Sequence, residues 1–131
     1  MKEIIIPPVA EAPHDQNATD LVENQFKHDP NHPLFARQLQ PGQWTDVSTQ
    51  EFRDDVKTIA RALAAVGIKP GDSVAIMSPT RYEWTLIDLA IMYAGAVTVP
   101  IYETSSASQI AWIVQDAAVK AVIVEKPEHA Q

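Results

Sequence analysis

From residue 48 onward the chain repeats one pattern: apolar residues at helical spacing, then a short run that is apolar throughout. Phe52, Val56, Ile59, Leu63 and Val66 recur at the helical period, with Arg53, Asp54, Asp55, Lys57 and Arg61 on the outward face, so an amphipathic helix is predicted. Ser48-x-x-Glu51 forms a capping box at its start, because the hydroxyl can accept from an orphan N–H while the Glu reaches back, and Gly67 supplies a left-handed stop. Pro70-Gly71-Asp72 then turns the chain into Ser73-Val74-Ala75-Ile76-Met77, apolar on both faces like a central strand of a parallel sheet. The cycle repeats. Thr80-x-x-Glu83 caps a second helix to Ala94, Gly95 ends it, and Val97-Thr98-Val99-Pro100-Ile101 is the second strand. Ser106-x-x-Gln109 caps a third helix through Ile110, Ile113, Val114 and Ala117, and Lys120–Val124 is the third strand. Strands alternating with helices at this spacing predict βαβ units and an α/β fold with a mostly parallel sheet.

The middle helix carries Leu86, Ile87, Leu89, Ala90, Ile91, Tyr93 and Ala94 nearly all the way round, and such a helix is normally covered on all sides. Three strands and three helices are few for that, so the segment reads as part of a larger sheet. Upstream, Asn17–Lys27 forms a short helix with Leu21, Val22 and Phe26 on one side and Asn17 as its cap. After the Asp29-Pro30-Asn31-His32-Pro33 breaker, Leu34–Arg37, the Pro41-Gly42 turn and Trp44–Val47 make a β-hairpin. Five of the ten prolines fall within the first 33 residues, where acidic side chains outnumber basic ones six to two. Residues 1–16 are therefore expected to be a flexible Pro-rich arm, and residues 17–131 a partial α/β domain.

Composition narrows the chemistry. With 131 residues, 46% hydrophobic and 21% charged, the chain suits one ordinary globular domain. No Cys is present, which excludes disulfides, thiolate metal sites and a Cys nucleophile. A net charge of −7 without a Lys/Arg cluster argues against nucleic acid as a partner. The four glycines, at 42, 67, 71 and 95, are too scattered for either phosphate-cradling loop, G-x-x-x-x-G-K-[ST] or G-x-G-x-x-G. Ile4-Ile5-Ile6 followed by two prolines falls far short of a secretory signal, so a cytoplasmic location is expected. The stretch from Trp84 to Tyr102 has one charge, Asp88, and nearly the length of a spanning helix. Gly95, Val97-Thr98-Val99 and Pro100 divide it into a buried helix and a buried strand, so it does not cross a membrane.

In a doubly wound sheet, ligands bind beyond the carboxyl ends of the strands, which directs attention to residues 77–81, 102–106 and 125–126. Ser78 follows a strand as an elbow nucleophile would, but it lacks the flanking glycines and precedes Pro79, so it reads as a helix-capping residue. Arg81 could meet an anion at the next helix start; a solvated Arg is the plainer reading. His28 and His32 have Pro30 between them, which denies the pair helical metal-binding geometry, and His14 and His129 are isolated, so all four are read as surface residues. Nothing in the sequence brings Glu103, Asp116 and Glu125 together as an acid and base pair. Trp84, Tyr93, Tyr102 and Trp112 are spaced as core residues rather than as a base-stacking platform.

One resemblance adds to this. Gly71-Asp72-Ser73-Val74-Ala75-Ile76, then Glu83-Trp84, Leu89-Ala90 and Gly95-Ala96-Val97-x-Val99-Pro100-Ile101-Tyr102 closely resemble the amino-terminal region of the adenylate-forming acyl-CoA synthetases. Trp44-x-x-Val47 and Gly67-Ile68-Lys69-Pro70-Gly71-Asp72 fit the same pattern, so the resemblance covers roughly residues 20–125 in ordered blocks. Pro100-Ile101-Tyr102-Glu103-Thr104-Ser105-Ser106 is similar to the long-chain fatty acid branch, and Thr80 stands where many members have Asn, another capping residue. The resemblance implies a two-step ligase: fatty acid attacks the α-phosphorus of ATP to give acyl-adenylate and pyrophosphate, and CoA displaces AMP, with Mg²⁺ neutralising phosphate charge. The family's Ser/Thr/Gly-rich loop with its Lys, its aromatic-Gly-x-Thr-Glu segment, its ribose-binding Asp and its mobile-domain Lys have no counterpart here. Accordingly no catalytic, cofactor-binding or metal residue is carried over, and Gly71, Asp72, Trp84, Leu89 and Gly95 are given structural roles. The expectation is an amino-terminal piece of a long-chain fatty acid–CoA ligase, inactive alone, whose partner is the remainder of that ligase and which self-associates through exposed apolar surface. The alternatives are a stand-alone, non-catalytic interaction module and a small flavodoxin-like ligand-binding domain. Glu125–Gln131, read as a strand exit entering a new helix, favours the first.

Overall fold

A computed structural model describes residue 7 and residues 14–130; most of the arm expected over 1–16 lies outside the described residues. The first helix, α1 (Ala18–His28), starts at Asn17, whose side chain accepts from the Thr19 N–H while Asp20 reaches back to the Asn17 N–H at 2.8 Å. Only Val22 of its expected apolar side is buried, and Leu21 is 68% exposed. A hairpin follows, β1 (Pro33–Gln40) antiparallel to β2 (Gln43–Ser48), turning at Pro41-Gly42.

Helix α2 (Thr49–Ala65) begins at Ser48, whose hydroxyl accepts from the Glu51 N–H at 3.2 Å. The reciprocal half of the expected box is not formed. Glu51 instead turns to Arg37 of the hairpin, 2.8 Å away, because a guanidinium is a stronger partner for a carboxylate than a backbone N–H. Phe52, Val56 and Leu63 are buried as the spacing predicts, but Ala60 joins them and Val66 is exposed beyond the last turn. Phe52 meets Phe35 of β1 at 4.7 Å between ring centroids and Tyr82 at 6.1 Å, so three aromatics join the hairpin to the helical layer.

The strands β3 (Ser73–Met77), β4 (Val97–Ile101) and β5 (Ala121–Val124) form one parallel sheet in the order β4-β3-β5. Central β3 is buried from Val74 to Met77, as its run of apolar residues requires. Helix α3 (Tyr82–Tyr93) leads from β3 to β4 and packs on the face bearing Val74, Ile76 and Ile123. Helix α4 (Ala107–Asp116) leads from β4 to β5 and packs on the opposite face, against Ala75, Met77 and Ile101. Gly95, at φ +75, ends α3, and its carbonyl accepts from the Gly71 N–H at 2.8 Å.

Two expectations are corrected here. Thr80 does not cap α3: the cap position is Arg81, with no side-chain cap bond, and Glu83 is drawn to the Arg81 guanidinium. The under-covered helix is α4 rather than α3. Leu86, Ala90 and Ile91 of α3 are buried, because α1 and α2 cover its outer side, whereas α4 buries no residue fully. At Ser106 the full capping box forms, with Gln109 accepting from the Ser106 N–H at 2.8 Å. The chain leaves β5 into a 3-10 turn, Pro127–Ala130.

Candidate functional site

Because α3 and α4 leave adjacent strands toward opposite faces of the sheet, the carboxyl ends of β3 and β4 part at a topological switch point. A cleft of about 450 Å³ opens there, between Ser78-Pro79-Thr80 after β3 and Tyr102-Glu103-Thr104 after β4, with Trp84 of α3 on its wall. Its lining is hydroxyl groups, aromatic surface and a single charge, Glu103. Tyr102 is 84% exposed, which corrects its placement as a core residue. Trp112, 65% exposed on α4, is corrected likewise, while Trp84 and Tyr93 are half-buried. Helical spacing finds the face of α4 but cannot reveal that nothing among the described residues packs over Trp112.

Arg81 stands beside the cleft and is paired with two carboxylates. Its Nε meets Glu83 and its Nη1 meets Glu125 at the exit of β5, both at 2.6 Å. The hydrogen bonds from Glu83 and then Glu125 raise the guanidinium pKa further, and Arg81 in turn lowers that of Glu83. Ser78 donates to the Pro79 carbonyl at 2.9 Å, so it caps no helix, contrary to the sequence reading.

The remaining candidates stay apart. α4 runs back along the sheet, so Asp116 sits at the opposite end from Glu103, and Glu125 belongs to Arg81. His28 closes α1, and the His32 carbonyl accepts from the Thr49 N–H at 2.9 Å. Among the described residues no group of three or more His, Cys, Asp or Glu could hold a metal ion. Among the described residues the cleft's only charge is negative, and its neighbouring guanidinium is held by two carboxylates. The residues present therefore do not fit the phosphates of ATP, or a Mg²⁺ ion, on their own.

Sequence reasoning missed one polar cluster. Glu23 of α1 meets Lys57 Nζ at 2.6 Å and Arg53 Nε at 3.0 Å on α2, and accepts from the Tyr93 hydroxyl of α3 at 2.9 Å. Burial alone would raise its pKa, but the bonds from Lys57, Arg53 and Tyr93 hold it down to about 2. The Tyr93 hydroxyl is pushed well above its ordinary value, first by burial and then by Glu23. These residues are up to 70 positions apart, and no local pattern joins them.

Residues 22–131 match the family model described as AMP-binding enzyme. A long-chain fatty acid–CoA ligase of Mycobacterium bovis, FadD15, is 42% identical over 131 residues, covering 99% of this chain and 22% of its own length. Human long-chain fatty acid–CoA ligase 6 is 31% identical over 98 residues, which is 73% of this chain and 14% of that protein. The chain thus spans 22% and 14% of the length of these two relatives. Among solved structures, a fatty acid AMP ligase from Legionella pneumophila superimposes with a TM-score of 0.73 at 25% identity, covering 85% of this chain and 20% of that one. The amino-terminal subdomain of Klebsiella oxytoca NpsA does so with a TM-score of 0.71 at 22% identity, covering 86% of this chain and 28% of that one. The βαβ layering, the hairpin in front of it and the extent of the matched residues agree: this chain belongs to the AMP-binding enzyme family.

Proposed function

We propose that this chain serves as the amino-terminal framework of a long-chain fatty acid–CoA ligase, which converts fatty acid, ATP and CoA to acyl-CoA, AMP and pyrophosphate, with Mg²⁺ as the metal. The observation that carries this reading is 42% identity to such a ligase across 131 residues. Residues 17–131 are then part of a larger α/β domain, the remainder of the ligase chain is the main partner, and the location is cytoplasmic. The segment contributes packing rather than chemistry: among the described residues the switch-point cleft is lined by no cation, and Arg81 ties β5 to the start of α3. The chain alone is therefore inactive, and it self-associates through the exposed Trp112 face and the β5 edge.

Two measurements test this. Purified chain mixed with ATP and palmitate should release no pyrophosphate; release would overturn the assignment of a purely structural role. Exchanged for the matching segment of the M. bovis ligase, the chain should support palmitoyl-CoA formation. A folded, soluble chimera without that activity would overturn the ligase reading.

A further inference from the structure

Helix α1 rests on α2 and α3, and its hold on them is mostly polar. It buries one side chain fully, Val22, which closes the apolar cluster of Phe52, Val56, Ala60, Leu86 and Ala90. Its other anchors are of a different kind. Glu23 takes Lys57, Arg53 and the Tyr93 hydroxyl, the Thr19 carbonyl lies 3.3 Å from that same hydroxyl, and the Phe26 ring centroid lies 4.2 Å from the guanidinium carbon of Arg53. One valine is a small share of the apolar area that normally fixes a helix to a core, so with the bonds of Glu23 gone little holds α1 in place.

Both ends of α1 suit it to moving as a unit. At the start, the box made by Asn17 and Asp20 satisfies the helix from within its own segment. At the end, the Asp29 N–H closes on the Gln25 carbonyl at 2.8 Å, and just beyond it the Pro30 and His32 carbonyls accept from the Gln50 and Thr49 N–H groups at 2.9 Å each. The chain is thus fastened to the start of α2 from Pro30 onward. Asp29, with an extended backbone, is the joint between the fastened part and the helix. The body under α1 is joined independently of it, by the rings of Phe35, Phe52 and Tyr82, which link the hairpin to α2 and α3.

We propose that α1 is a clasp: it lifts off α2 and α3 as one body about Asp29 while the sheet and the remaining helices stay folded, and Glu23 is its catch. Release uncovers the apolar cluster that Val22 closes, with Arg53 and Lys57 beside it. The catch lies at the middle of an 11-residue helix that is capped at its start and closed at its end, so α1 leaves whole and does not fray turn by turn.

Native-state hydrogen exchange of the full chain at low urea reads the opening directly. The amides of Val22 to His28 should share one level of protection, at least about tenfold below that of Val74 to Ile76 in β3, and should depend on urea far less steeply. Glu23→Gln should speed exchange across α1 about tenfold or more, and Tyr93→Phe about fivefold. Protection and urea slope equal to those of β3 would show that α1 leaves only with the whole fold, and protection that rises gradually toward the middle of the helix would show fraying. Either result overturns the clasp. An α1 rate that neither variant changes would overturn it as well, and Tyr93→Phe, which keeps the ring, carries the test should Glu23→Gln fail to fold.

Discussion

Tyr93, at the last turn of α3, donates a hydrogen bond to Glu23 of α1 across 2.9 Å, and the same carboxylate holds Lys57 and Arg53 of α2. Three helices therefore meet on one side chain that is only 24% exposed. Truncating it leaves two cations and a hydroxyl without their shared acceptor. Glu23→Ala should cost about 1–3 kcal/mol, read as a lower urea midpoint at unchanged slope. Tyr93→Phe, which removes one donor and little volume, should cost about 1 kcal/mol.

Acid should act through the same group. Glu23 has a folded pKa of about 2 against an ordinary 4.5, so its contribution is fully present above pH 4.5 and is lost as pH falls toward 2. Stability in that window should decline by on the order of 2 kcal/mol, and Glu23→Gln should flatten the decline. Thermal unfolding followed between pH 2 and pH 6 checks both statements, and an undiminished acid slope in the Gln variant would count against this origin.

The capping boxes show how far the sequence could be read. Ser106 and Gln109 close on each other as written, because no charged partner competes for Gln109. Ser48 caps α2 but Glu51 is taken by Arg37, and Thr80 is displaced as a cap while Glu83 turns to Arg81. In both failures a guanidinium outbids the backbone for the carboxylate, and Arg37 lies on another element that a local motif does not register. The place of the cleft was legible, since it follows from strands and helices in alternation. Its electrostatics were not, because Glu125 reaches Arg81 only once β5 lies beside β3.

Glycine substitutions should separate strain from crowding. Gly42 and Gly95 both have left-handed backbones, at φ +79 and +75. A Cβ at Gly42 would meet nothing within 4 Å, whereas one at Gly95 would lie 3.2 Å from the Pro70 Cβ. Gly42→Ala should cost about 1 kcal/mol and Gly95→Ala about 2 or more, measured as shifts in melting temperature against the wild-type chain. Equal costs would show that the loop carrying Pro70 yields freely.

The proposed self-association should depend on Trp112, the large aromatic exposed on the face of α4. Trp112→Lys should lower the sedimentation-derived association constant about tenfold while leaving the melting temperature within a few degrees, since a side chain 65% exposed contributes little to the core. An unchanged constant would place the contact elsewhere, with the β5 edge next to be tested.

Pro100, opposite Ile76 in β4, gives the sheet a direction of growth. The Val97 N–H points to β3, bonding the Asp72 carbonyl at 2.8 Å, so by alternation Val97, Val99 and Ile101 face inward and Thr98 and Pro100 outward. Proline has no hydrogen to offer, and the outer rim of β4 is left with one donor where a neighbouring strand needs two. On the far rim, Ala121 and Ile123 of β5 keep theirs. A strand added past β5, from the same polypeptide or another, thus meets an unbroken row of donors, and one added past β4 forfeits a hydrogen bond at Pro100.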